Sequence, residues 1–252
     1  MNLSVYLKSF PKAAVAFSGG VDSAYLLYAA QKAGCELHAY FVKSPFQPQF
    51  ELEDAVKLAD SLASPFTIEQ LNVLNMEEVV KNPQNRCYYC KRAIFTRIKE
   101  LAAQDGYPVV FDGTNASDSA DDRPGMKALQ ELGIVSPLRE CGIMKSQIRS
   151  LSKQAGLFTW DKPAYACLAT RIPSGMEISS KLLQKVEHCE KALFALGFSD
   201  FRVRITASEG AKLQLPGEQL LEAVRQREKI TSILLGEFSE AVLDLVPRKT
   251  ES

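Results

Sequence analysis

Ala13-Ala14-Val15-Ala16-Phe17-Ser18-Gly19-Gly20-Val21-Asp22-Ser23 is the stretch that decides the fold. Its five apolar residues, Ala13 to Phe17, read as a strand buried on both faces, as in a parallel sheet. The run breaks into Ser18-Gly19-Gly20, where two glycines let backbone N–H groups turn toward a small anion. A helix starts near Val21 with Leu26, Leu27 and Ala30 inward, so its positive end faces the same point. Strand, loop and helix together make a phosphate cradle. The spacing is neither G-x-x-x-x-G-K-[ST] nor G-x-G-x-x-G, which weighs against ordinary P-loop and dinucleotide sites.

Outward from this loop, short apolar strands alternate with helices as far as residue 165. The helix from Val21 should close at Gly34. Strands are expected at Leu37–Val42, Phe66–Leu71 and Val109–Phe111, with helices at Glu51–Ala63, Cys90–Ala103, Pro124–Leu132 and Ser146–Ala155. Repeated βα units predict an α/β fold, a Rossmann-like open parallel sheet with helices on both faces. Ligands in such sheets lie beyond the carboxyl ends of the strands, so the Ser18–Ser23, Lys43–Pro48 and Asp112–Asp118 loops should share a crevice. After residue 175 the pattern changes. Helices at Lys181–Leu196 and Glu218–Leu235 and strands at Phe201–Ile205, Lys212–Leu215 and Ala241–Val246 predict a small α+β domain. The expected domains are 1–165 and 176–252, with 166–175 as a hinge.

The 252 residues carry 30 basic and 30 acidic side chains and are 46% hydrophobic. A net charge of zero offers no global field for nucleic acid. No apolar run approaches the roughly 20 residues that span a bilayer, so no membrane partner is expected. The six cysteines without a secretory pattern imply reduced thiols and a cytoplasmic location.

Four further constellations carry chemistry. Asp112-Gly113-Thr114-Asn115-Ala116-Ser117-Asp118, followed by Asp121-Asp122-Arg123, reads either as a plain Asn/Asp/Gly loop or as a strand exit facing a nucleotide. Beside the Ser18 loop the second reading is stronger, and Asp22 and Asp118 become candidate Mg²⁺ ligands. In Asn85-Arg86-Cys87-Tyr88-Tyr89-Cys90-Lys91, two thiols before a helix suit metal chelation, redox pairing or structure. There Arg86 and Lys91 favour thiolates and can touch phosphate. Cys167 stands in the hinge between Lys162 and Arg171, whose charges favour a reactive thiolate. Arg202 and Arg204 project from one strand face and can converge on a phosphate. Cys35, Cys141 and Cys189 read as structural, and His38 and His188 have no catalytic setting.

Taken together, Ser18–Ser23, Asn85–Lys91, Asp112–Asp118, Arg123-Pro124-Gly125, Ser136-Pro137-Leu138, Trp160–Pro173 and Phe201–Arg204 resemble the LarE family of ATP-dependent sulfurtransferases, within the pyrophosphatase-loop superfamily. The resemblance runs from about Lys12 to Val246 in family order. It implies a nucleotide-like small-molecule substrate, pyridinium-3,5-biscarboxylic acid mononucleotide, whose carboxylate is adenylated and converted to a thiocarboxylate for a nickel-pincer cofactor. It places ATP at Ser18, Gly19, Gly20, Val21, Asp22, Ser23, Ser44, Arg86, Gly113, Thr114 and Asn115, with Mg²⁺ on Asp22 and Asp118. The substrate phosphate falls to Arg202 and Arg204. Cys167, Lys91 and Arg171 are the catalytic candidates. Sulfur comes either from Cys167, leaving dehydroalanine, or, the favoured route, from a 4Fe-4S cluster on Cys87, Cys90 and Cys167. The resemblance also implies a homo-oligomer, with a neighbouring subunit at the site. Lys212 and Gln214 stand where the family pattern expects an acidic residue. The competing readings are a tRNA thiolase, an ammonia-dependent ligase of the same superfamily, and a non-catalytic nucleotide or metal sensor. Zero net charge and a single C-x-x-C oppose the first, and an amide-forming ligase has no need of Cys167.

Overall fold

The computed structural model describes residues 2–118 and 124–248, so the expected Asp121, Asp122 and Arg123 lie outside the described residues. In chain order the elements begin with α1 (Leu3–Leu7), β1 (Lys12–Ala16), α2 (Val21–Lys32), β2 (Glu36–Lys43), α3 (Gln49–Ser61) and β3 (Phe66–Gln70). There follow α4 (Glu77–Val80), α5 (Arg86–Gln104), β4 (Val110–Phe111), α6 (Pro124–Glu131), α7 (Pro137–Glu140) and α8 (Lys145–Gln154). The last are α9 (Ser180–Ala195), β5 (Arg202–Ile205), β6 (Ala211–Gln214), α10 (Leu220–Arg225), α11 (Arg227–Glu237) and β7 (Ala241–Leu243). Among the described residues, no helix is long and apolar enough to cross a membrane.

Two compact units result. The first holds Met1–Val73 and Asn85–Lys162, the second Leu74–Gln84 and Pro163–Ser252. This division departs from the expected 1–165 and 176–252. Residues expected to form a hinge are instead tied down within the second unit. Asn82 Nδ2 donates to the carbonyls of Ile172 (3.3 Å) and Pro173 (2.8 Å), and the Gly175 and Ile178 amides bond Asn82 and Val80 (2.9 Å each).

In the first unit four parallel strands run in the order β3-β2-β1-β4, the open α/β sheet that the periodicity predicts. β1 shows why its apolar run is continuous. Ala13 and Val15 face a core shared with Leu26, Leu27 and Ala30 of α2, Leu58 of α3 and Ile148 of α8. Ala14 faces the other core, with Phe95 and Ile98 of α5 and Met126 and Leu129 of α6. Each large side chain buried in these layers contributes about 1.5–3 kcal/mol. All four strand exits lie at one end of the sheet.

The second unit packs α9, α10 and α11 with a three-stranded sheet ordered β5-β6-β7, antiparallel then parallel. The helix expected over Glu218–Leu235 is a 3₁₀ turn (Gly217–Gln219) followed by α10 and α11, divided at Gln226 (ψ 17°). On α9 the buried stripe is Leu183, Val186, Cys189, Glu190 and Leu193, so it includes a carboxylate and leaves out the expected Leu182 and Leu196.

Candidate active site

The loop after β1 is built around an uncapped helix end. Gly20 is the N-cap of α2 and supplies no side-chain bond, so the first-turn N–H groups stay directed at the loop mouth. Gly19 has φ +72°, and a Cβ there would stand 3.0 Å from the Glu51 carbonyl oxygen and 3.1 Å from Ala55 of α3. Only glycine fits. Gly20 has an ordinary backbone (φ −83°), so its role is to leave room rather than to make the turn. Ser23 Oγ donates to the Gly20 carbonyl (3.2 Å), accepts from the Ser18 amide (3.2 Å) and lies 3.1 Å from Ser18 Oγ. These bonds fix the loop from within. Val21 is buried and anchors the helix start.

The β4 exit closes on the same helix end. A Cβ on Gly113 would lie 2.9 Å from the Ser23 amide nitrogen and 3.3 Å from Asp22 Cβ. Asp22 Oδ2 accepts from Lys145 Nζ at 2.6 Å, whereas Asp22 Oδ1 is buried with no hydrogen-bond partner among the described residues. Burial pushes the Asp22 carboxyl above the usual carboxylate range, and Asp118 adds to the rise, against the pull of Lys145 and Arg149. An orphaned carboxylate oxygen beside a second carboxylate fits a divalent cation that keeps waters and phosphate oxygens as its other ligands. Asp118 Oδ2 accepts from the Asn115 amide (3.0 Å), and Asn115 Oδ1 accepts from the Ser117 amide (2.8 Å).

Several expected ATP ligands instead shape the loops. Thr114 Oγ1 and Ser136 Oγ donate to the buried Asp112 carboxylate. Ser44 is buried and hydrogen-bonds Gln47 Oε1 through both its amide (3.0 Å) and its hydroxyl (2.6 Å). Arg86 is buried with its guanidinium 5.8 Å from the Phe46 ring centroid. Lys91 lies along the Gly125 backbone, and its charge pulls on the Asp112 carboxyl, which burial drives upward. α5 begins at Arg86, four residues before the expected start, so Cys87 and Cys90 stand one turn apart on a helix rather than ahead of it. Cys87 is exposed and Cys90 half-buried. Among the described residues, no group of three or more His, Cys, Asp or Glu side chains stands close enough to hold a metal ion.

In the second unit Cys167 is half-buried and caps the 3₁₀ turn Leu168–Arg171. Three arginines fasten the backbone around it. Arg171 Nη1 donates to the Ala166 carbonyl (2.7 Å) and Thr170 Oγ1 (2.9 Å), Arg202 Nη2 to the Ala164 carbonyl (2.7 Å), and Arg204 Nη1 to the Thr170 carbonyl (2.9 Å). Arg171 is also paired twice with Glu190, at 2.9 and 3.0 Å, and is 1% exposed. Arg171, expected as a catalytic candidate, thus divides its donors between Glu190 and the backbone around Cys167. Lys162, the other expected charged neighbour of Cys167, is paired with Asp54 at 2.8 Å in the first unit. Arg202 and Arg204 share a face as expected. Burial, together with Arg171 and Arg248, holds both guanidiniums below the usual range, Arg202 at about 10. Arg202 is 4% exposed and donates to the Phe201 and Ala164 carbonyls, and Arg204 donates to Gln214 and the Thr170 carbonyl, so both are engaged within the fold. Lys212 and Gln214 engage Asp244 at 3.2 and 2.8 Å, and Gln214 Oε1 accepts from Arg204. Burial pushes Cys35 to about 11 and Cys189 to about 12, as expected of structural thiols.

Sequence reading missed Lys145 and Glu190. Lys145 opens a polar helix with no motif around it. Glu190 did carry a signal, since it falls at the buried spacing of Leu183, Val186 and Leu193, and a charge on an apolar stripe demands a buried partner.

Comparison with known proteins adds four findings. A family model described as thiamine biosynthesis protein (ThiI) matches residues 11–192. The pyridinium-3,5-bisthiocarboxylic acid mononucleotide synthase of Lactiplantibacillus plantarum is 32% identical over 243 residues, 95% of this chain and 87% of that protein. An uncharacterized protein of Synechocystis sp. is 38% identical over 225 residues, 89% of this chain and 84% of its own length. A tRNA-specific 2-thiouridylase of Pseudothermotoga lettingae is 27% identical over 190 residues, 60% of this chain and 54% of the relative.

Proposed function

Because this chain belongs to the LarE family, within the proteins that the thiamine biosynthesis (ThiI) model describes, we propose that it inserts sulfur, at the expense of ATP, into a carboxylate of pyridinium-3,5-biscarboxylic acid mononucleotide. The observation that carries this reading is the uncapped, glycine-floored end of α2, with the half-partnered Asp22 carboxylate beside it. A carboxylate is a poor electrophile. Its oxygen attacks the α-phosphorus of ATP, and pyrophosphate leaves with the electron pair of the broken P–O bond. The α2 N–H groups and Lys145 receive the phosphate charge that develops. Asp22 and Asp118 would hold Mg²⁺, which screens phosphate charge when bound. Arg202 and Arg204, on one strand face, would bind the substrate's own phosphate.

Sulfur delivery has two supported forms. Cys87 and Cys90 on one helical turn, with Cys167 as the third thiolate, would hold an iron–sulfur cluster, which would supply sulfide for the transfer. In the second form the sulfur comes from Cys167 itself. There the Cys167 thiolate displaces AMP to give a thioester. Loss of the Cys167 Cα proton then breaks the Cβ–S bond, leaving a thiocarboxylate on the substrate and dehydroalanine in the chain. The proposed partners are small molecules and further copies of this chain.

Anaerobic purification, iron and sulfide analysis, and intact mass after turnover test the reading. Retained iron with unchanged mass supports the cluster, and loss of about 34 Da, one H₂S, supports use of Cys167. Absence of pyrophosphate release with the pyridinium substrate sinks both.

A further inference from the structure

We propose that Arg149 is a positioning residue for sulfur transfer, fixing the backbone from which the chain runs on to Cys167, from a helix that is itself anchored to the phosphate loop. The proposal rests on the function argued above. α8 carries two cations one turn apart. Lys145, at its first position, reaches Asp22 at 2.6 Å. Arg149 turns the other way, donating through Nη1 to the Trp160 carbonyl (2.8 Å) and through Nη2 to the Lys162 carbonyl (3.0 Å). One planar guanidinium therefore sets the spacing of two carbonyls two residues apart, a geometry that a lysine cannot reproduce.

Lys162 is gripped a second time. Its Nζ lies 2.8 Å from Asp54 Oδ2 and 5.4 Å from the Phe50 ring centroid, both on α3. The same helix lays Glu51 and Ala55 against Gly19 of the phosphate loop. The exit residue is thus held by two helices that both contact the nucleotide loop. Pro163 follows directly, and Lys162 has the extended backbone (φ −58°, ψ 124°) that a residue before proline favours.

The test uses the full chain with R149Q and R149K, measuring pyrophosphate release and thiocarboxylate formation in the same reaction. Small misplacement of a reacting group costs up to about 100-fold. The expected R149Q result is a loss of sulfur insertion about tenfold or more greater than any loss of pyrophosphate release. Pyrophosphate spent per sulfur then rises, and R149K lies between. A parallel loss of both products, or no change in their ratio, overturns the proposal, since a merely structural role moves them together. R149K carries the test if R149Q does not fold. A readout without turnover is hydrogen exchange over residues 159–166, with and without Mg²⁺ and α,β-methylene-ATP. The nucleotide should alter protection in wild type and not in R149Q, and equal responses overturn the proposal. If wild type releases no pyrophosphate, the functional reading fails, and the exchange comparison still decides the role of Arg149.

Discussion

Replacing Lys145 by methionine removes the one hydrogen-bond partner that the Asp22 carboxylate has among the described residues while keeping most of the apolar stem of the side chain. The contact is short, 2.6 Å, between side chains that are 21% and 25% exposed. A hydrogen bond between charged groups contributes about 1.5–3 kcal/mol, and partial exposure places this one toward the lower end. Without Lys145 the Asp22 carboxyl, already raised by burial, should rise further. The sign follows from that direction. A carboxyl whose folded pKa exceeds its unfolded value stabilises the fold when protonated, and that stability is lost as pH rises through the raised pKa. K145M should therefore be less stable than wild type at neutral pH, with the gap closing as the solution is acidified toward the ordinary carboxylate range. In catalysis, the acid limb of pyrophosphate release against pH should move up. The kcat/KM for ATP should fall about tenfold or more, the equivalent of the lost charge contact. Urea denaturation across pH and a continuous pyrophosphate assay measure both. An unmoved acid limb with ATP kinetics within about twofold of wild type would refute the assignment of Lys145 to the phosphate site.

Three further substitutions test other parts of the structure. G113A sets a methyl 2.9 Å from the Ser23 amide nitrogen, so calorimetry should find ATP affinity down about tenfold or more, with the far-ultraviolet spectrum unchanged. E190A leaves Arg171, the Tyr165 hydroxyl and the Val203 amide without their shared buried acceptor. Chemical denaturation should show a loss of about 3–5 kcal/mol, with E190Q recovering part of it. Ser152 Oγ is buried with no partner among the described residues, so S152A should stabilise by about 1 kcal/mol and raise Tm by about 2–4 °C.

The parallel sheet was legible because its strands are buried on both faces and its helices keep one apolar stripe. The phosphate loop was legible because glycine at a positive φ and an uncapped helix end need particular residues in a fixed order. The early start of α5 was not, since its first apolar position at helical spacing is Ile94, and the polar turn before it looks like loop. The break at Gln226 has neither proline nor glycine to announce it. The 3₁₀ turns and four-residue helices are too short to show a period. Lys145 is brought to Asp22 across more than a hundred residues by tertiary packing alone. The arginines were found, but their partners were not, because a backbone carbonyl as acceptor leaves no trace in sequence.

The second unit is assembled from two separated pieces of chain, and this orders events during synthesis. Leu74–Gln84 leaves the ribosome early, yet Asn82 and Val80 bond residues some ninety positions later, Ile172 through Ile178. At about 5–20 residues per second, that interval is on the order of 5 to 20 seconds. During it, the first unit gains β4, the last of its four strands, while Leu74–Gln84 waits for its partners. A truncation meant to isolate either half must accordingly remove or bridge this segment, because a single cut at Lys162 strands Leu74–Gln84 on the wrong piece.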